Sequence, residues 1–213
     1  MDSTALILLL IDRRVDFEAI FVDNEVEYPE TYSYVEYINE KVHPITVLRP
    51  KVEGFHSLYK FCMHHKTLPS VRLKWCNDKF KMRPQAKYRK RPCTVYLGFN
   101  ADEMKRAKGV KPRKGETYKF PLIEEGLTKR ECISFIKDHG LKVPIKSGCY
   151  FCPMQSPKEW KKLMVNHSEL YKKAILLEEN AQSLTFFMDG SRLTKYWQDN
   201  KLTNYVPEMI VGE

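Results

Sequence analysis

The chain lacks an apolar run long enough to cross a membrane: the longest, Ala5 to Ile11, falls far short of the roughly twenty residues a helical span needs. No signal peptide is read at its start. Six cysteines in such a context predict a reducing, cytoplasmic setting in which thiolates serve metals or catalysis and disulfides do not persist. Internal repeats and low-complexity tracts are missing, which excludes solenoid and array architectures. None of the six histidines sits in a metal-binding spacing, and His64, His65 and His139 read as helix-end residues. Glycines are also absent around Asp2-Ser3-Thr4, where a phosphate-binding loop would need them to bring backbone N–H groups close to a pyrophosphate.

What is present bounds the class. With 213 residues and 43% hydrophobic content the chain supports one substantial core with room for a small appendage, and it is not a disordered sequence. The expected organisation is a single domain, with a nucleotide-binding core over residues 1–125 and a helical, cysteine-containing part over 126–213. A net charge of +9 favours a polyanionic partner, either nucleotide phosphate or nucleic acid. The basic residues are bunched: Lys79, Lys81, Arg83, Lys87, Arg89, Lys90 and Arg91 form one group, and Lys105, Arg106, Lys108, Lys111, Arg113 and Lys114 another. The alternative is that both runs are solvated faces.

Periodicity predicts alternating helices and strands: a helix over Thr4 to Ile11, a strand over Phe17 to Val22, a helix over Pro29 to Lys41, and a strand over Ile45 to Leu48. A helix over Gly54 to His64 and strands over Thr94 to Leu97 and Tyr118 to Phe120 follow, with Lys105 to Glu116 between them expected as a mobile basic lid. Thr128 with Glu131 reads as a capping box for a helix ending near His139 before Gly140, and Glu159 to Met164 and Ser168 to Asn180 read as helices. Trp160 and Trp197 are expected as packing anchors. The alternation implies an α/β fold with a parallel sheet covered by helices on both faces.

The strongest chemical signal is Gly148-Cys149-Tyr150-Phe151-Cys152-Pro153. Two cysteines separated by two residues point both sulfurs the same way, and the proline stiffens the turn. With Cys76 and Cys132 they make the expected four-thiolate metal centre, a 4Fe-4S cluster with zinc as the alternative. A redox dithiol or a zinc half-site would leave Cys76 and Cys132 as buried thiols, and Cys93 could replace Cys132 in the ligand set. Cys62, beside Phe61 and Met63, and Cys93, ahead of a strand, read as small buried hydrophobes.

Several segments together carry a family resemblance: Asp2-Ser3-Thr4; Phe21-Val22-Asp23-Asn24 before Tyr28-Pro29-Glu30-Thr31-Tyr32; Trp75-Cys76-Asn77-Asp78-Lys79-Phe80-Lys81; Leu97-Gly98-Phe99-Asn100-Ala101-Asp102-Glu103; and Lys146-Ser147-Gly148-Cys149-Tyr150-Phe151-Cys152-Pro153. In this order the chain resembles the phosphoadenosine phosphosulfate reductase family of the adenine nucleotide alpha-hydrolase, or PP-loop, superfamily. The closest-looking branch is a set of small proteins often encoded by phages or mobile elements. The resemblance implies a Rossmann-like sheet binding ATP or another adenine nucleotide at its strand ends. In some branches it also implies a 4Fe-4S cluster.

Nucleotide contacts are expected from Asp2, Ser3, Thr4, Asp23, Asn24, Lys81, Arg83, Asn100, Asp102 and Glu103. Asp23 could accept from adenosine hydroxyls or hold magnesium, and Lys81 and Arg83 could neutralise phosphate. There are departures from the family pattern. The Ser-Gly-Gly of the phosphate loop is missing, as in a chain truncated there, and Asn100 stands where the family usually has Arg. The reductases' C-terminal Glu-Cys-Gly thiol has no counterpart in Tyr205 to Glu213. The implied activity is therefore ATP-dependent sulfur transfer or adenylation on a nucleic-acid (tRNA or DNA) or small-molecule substrate, with a sulfur-donor protein as a possible partner. The alternatives are sulfonucleotide reduction using a borrowed thiol, and a non-catalytic metal-stapled binding protein.

Overall fold

A computed structural model describes residues 1–181. In chain order its elements are α1 (Asp2–Asp12), β1 (Ala19–Val22), α2 (Pro29–Lys41), β2 (Ile45–Leu48), α3 (Leu58–His64), α4 (Trp75–Asn77), a π-helical turn (Asp78–Met82) and α5 (Arg83–Tyr88). They continue with β3 (Cys93–Tyr96), a 3-10 turn (Ala101–Glu103), α6 (Met104–Lys108), β4 (Glu116–Lys119), α7 (Pro121–Glu124), α8 (Lys129–Asp138), α9 (Pro157–Asn166) and α10 (Ser168–Asn180).

The chain divides into two compact units interleaved in sequence. The first comprises Met1–Val22, Tyr28–Leu48 and Arg83–Ser147; the second comprises Asp23–Glu27, Arg49–Met82 and the chain from Gly148.

All four strands belong to the first unit. β1 and β2 run parallel, Ala19 opposite Ile45 and Val22 opposite Leu48, and β3 and β4 run parallel, Cys93 opposite Glu116 and Tyr96 opposite Lys119. The α/β class and parallel pairing are as expected, but the strands form two separate two-stranded ladders instead of one sheet. Each ladder closes one strand–helix–strand crossover, through α2 or through α6. α1 is apolar nearly all round and is accordingly buried: Ala5, Leu6, Leu8, Leu9 and Leu10 pack with Leu122 of α7 and with Cys132 and Ile136 of α8. α8 starts on the expected capping box, Thr128 Oγ1 accepting from Glu131 N–H while Glu131 Oε2 accepts from Thr128 N–H at 2.7 Å.

Part of the expected lid has regular structure. Lys105 to Lys108 lie in α6, anchored by buried Ala107, and Glu116 is buried in β4. Only Gly109 to Gly115 lacks regular structure.

The second unit is helical. Its α3 begins at Leu58 and not near Gly54, because Val52 and Phe55 close a tight turn in which Glu53 and Gly54 both take positive φ. Ser57 then caps the helix by accepting from Lys60 N–H. Leu58, Phe61 and Cys62 form the buried face of α3, and Phe61 packs edge-on against Phe80 at 5.3 Å and against Trp75 at 5.6 Å. α9 starts on a second capping box, Ser156 with Glu159. Trp160 is fully buried and edge-on to Tyr171, the expected packing anchor, whereas Trp197 and the tail from Tyr205 lie outside the described residues.

Candidate functional site

In the first unit the loop after β3 meets the start of α1. A Cβ on Gly98 would lie 3.4 Å from the backbone of Asp2 and Ser3, about van der Waals contact, so this loop lies against the helix start. Asn100 is buried, donates from Nδ2 to Asp2 Oδ1 at 3.2 Å and accepts on Oδ1 from Asp102 N–H at 3.0 Å. Asp102 in turn accepts from Lys129 N–H at 3.0 Å, capping α8. Of the expected nucleotide contacts, Asp2, Asn100 and Asp102 are thus brought together and bonded to one another or to a helix end. Ser3 is exposed and Thr4 buried. Glu103 pairs with Arg106 at 2.7 Å on the surface, and Arg83 opens α5.

In the second unit Asp23 accepts from Glu25 N–H at 2.8 Å, and its other oxygen lies 3.4 Å from Arg49. Asn24 is 1% exposed, and neither its amide oxygen nor its nitrogen has a hydrogen-bond partner. An amide buried in this state costs about 1–3 kcal/mol unless something satisfies it. Its own carbonyl is occupied, accepting from Leu58 N–H.

The Cys149–Cys152 segment is a tight turn, with Cys152 N–H donating to Cys149 C=O at 3.0 Å. It is pinned to the strand-like stretch Val26-Glu27. Tyr150 N–H donates to Val26 C=O at 2.9 Å, and Gly148 N–H donates to Glu27 Oε2 at 2.8 Å. The Glu27 side chain is 2% exposed, and its other oxygen receives Lys81 Nζ at 3.0 Å. Burial alone would pull the Lys81 ammonium down, but Glu27, Cys149 and Cys152 outweigh it and hold it raised.

Cys62, Cys76, Cys149 and Cys152 all belong to this unit. Burial raises the Cys62 and Cys76 thiols and pushes Cys149 up to about 12.

Cys132 belongs to the first unit's core, where it shares the buried face of α8 with Ile136, and burial pushes its thiol up to about 11. It behaves there as a small hydrophobe. Cys62, read from sequence as a small buried hydrophobe, is fully buried on α3 of the second unit. Cys93 opens β3 in the first unit.

Among the described residues no group of three or more His, Cys, Asp or Glu side chains is assembled to hold a metal ion. The donor chemistry nevertheless suits a thiophilic centre: four thiols, with a cation to offset part of their charge once ionised.

Parallel strand–helix–strand crossovers, with helices packed around them, place the chain in the α/β class. The phosphoadenosine phosphosulfate reductase domain matches residues 1–173, and the chain belongs to that family. No curated protein matches it. Membership supports a sulfonucleotide-related function. Among the described residues no helix is long and apolar enough to cross a membrane.

Proposed function

We propose that this protein is an adenine-nucleotide-dependent sulfur enzyme whose second unit holds a thiolate-ligated centre, a 4Fe-4S cluster or, in its place, zinc. The observation that supports the reading is that Cys62, Cys76, Cys149, Cys152 and Lys81 belong to one unit, with the Cys149–Cys152 turn and Lys81 both bonded to Glu27. These four would hold the group, which when bound supplies redox or sulfur-handling chemistry as a cluster and a structural staple as zinc.

The remaining roles fall to the chain. Glu27 orients Gly148 at the head of the cysteine turn and holds Lys81, so that an ammonium faces the thiolates and reduces the cost of ionising them. Asn24 offers a buried, unsatisfied amide for a polar ligand, in keeping with its expected role as a nucleotide contact. The start of α1, with Ser3 exposed, offers backbone N–H groups to phosphate. The products in view are an adenylated or sulfur-bearing acceptor, either nucleic acid or a small molecule.

Anaerobic purification followed by iron, sulfide and zinc analysis tests the centre. About four irons and four sulfides per chain are expected. Cys62→Ser should lose most of the metal and Cys132→Ser should keep it; the reverse pattern would restore Cys132 as the ligand. Nucleotide use is tested by ATP turnover to AMP and pyrophosphate, and by sulfite release from adenylylsulfate, which would favour the reductase alternative.

A further inference from the structure

The two basic groups differ in how their charge is used. In the first, Lys79 pairs with Glu53 at 2.9 Å and Lys81 with Glu27 at 3.0 Å, while Arg89 and Arg91 both bind Glu116. Four cations of that group are therefore committed to carboxylates within the fold. The second group is not spent in this way. Between Met104 and Gly115 the chain carries six basic residues and no acidic one. Arg106 pairs with Glu103, but Lys105, Lys108, Lys111, Arg113 and Lys114 are all exposed and among the described residues none forms an ion pair.

Aromatic rings bracket this segment. Phe99 lies before it and Phe120 after it, and the two rings stack at 6.0 Å between centroids with only 14° between their planes. The Arg106 guanidinium lies over Phe99 at 4.6 Å, on a side chain 68% exposed. Stacked aromatics with a cation on the ring, next to unpaired lysines, are the combination used on unstacked bases and their phosphates. Nothing in the segment suits a duplex groove, since α6 has only five residues and a groove is read by a longer helix or a β-ribbon.

We propose that the 99–120 segment is a binding surface for single-stranded nucleic acid, with phosphates on Lys105, Lys108, Lys111, Arg113 and Lys114 and bases stacking on the Phe99–Phe120 pair. The surface is independent of what the cysteines hold. Its test requires neither metal nor nucleotide, so its failure leaves the cysteine reading untouched.

The measurement is fluorescence anisotropy of the full chain with a labelled single-stranded oligonucleotide and its duplex, repeated across a salt series. Five phosphate contacts predict a log–log salt slope of about −3.5 for the single strand, which is bound more tightly than the duplex. Replacing the five cations by Ala should flatten the slope to between about −1 and zero and weaken binding at low salt by at least about thirtyfold. Phe120→Leu keeps apolar bulk but loses the ring; it should weaken single-strand binding by about fivefold or more with the slope unchanged. The control removes five exposed lysines of the second unit, Lys51, Lys158, Lys161, Lys162 and Lys173. A control that loses as much affinity as the test variant, a duplex bound more tightly than the single strand, or a wild-type slope near zero would overturn the proposal.

Discussion

Glu116 shows what one residue is asked to do. Its side chain is fully buried on β4, where it binds Arg89 and Arg91 and accepts from the Tyr118 hydroxyl at 2.9 Å. Burial pushes its carboxyl up, but Tyr118 and the two guanidiniums outweigh that and hold it below the ordinary 4.5. Glu116→Ala leaves two guanidiniums facing a pocket with no anion, and should cost about 3 kcal/mol in urea or thermal unfolding. The pH dependence follows from the sign of the shift. A depressed carboxylate contributes stability above its unfolded pKa and loses it as pH falls through its folded one, so wild type should weaken below about pH 4.5 by a component that Glu116→Ala lacks. None of this was legible in the sequence, where Glu116 stood at the edge of a supposed loop and Arg89 and Arg91 looked like free basic surface. The cysteines teach the same lesson. Cys62 and Cys132 each sit one helical turn from another apolar residue, and only the tertiary fold says which unit holds each.

At the scale of elements, local chemistry was readable wherever a cap or a period set it. α2, β2 and α10 fall on the expected residues, and the Thr128 capping box starts α8 as expected. The stretch from Trp75 to Tyr88 was not readable. It has no clean apolar period, enters through Lys74 at φ +48, and is held by tertiary contacts such as Trp75 Nε1 donating to Leu68 C=O at 3.2 Å. The Cys149–Cys152 turn combines both cases: its spacing was visible, while its attachment to Glu27 was not. That attachment carries a prediction. Glu27→Gln keeps an acceptor for Gly148 N–H but loses the charge that holds Lys81. A substitution of this kind behind a metal site typically costs about ten- to a hundredfold in retention, so a chelator should strip metal at least about tenfold faster while the circular dichroism spectrum stays unchanged. Equal stripping rates would reduce Glu27 to a fold contact.

For the whole molecule the consequential feature is the interleaving of the two units, which chain order concealed because contacts and not sequence position decide it. The proposed ligands Cys62 and Cys76 lie on one segment of the second unit, and Cys149 and Cys152 on another. Between Cys76 and Cys149 runs a long stretch belonging mostly to the first unit, so a centre holding all four thiolates would close that loop and remove chain entropy from the unfolded state. Such a staple should be felt where its ligands are. Hydrogen exchange followed by mass spectrometry should show slower exchange with metal bound over residues 58–82 and 148–180, which contain α3, α4, α9 and α10. In β3, β4 and α8 exchange should be unchanged. The same contrast should survive in Cys132→Ser and vanish in Cys62→Ser. If metal instead slowed exchange across α8, Cys132 would have to be a ligand after all. If it slowed exchange nowhere, the four thiols of the second unit would be packing residues, and Lys81 would have no charge to meet except that of Glu27.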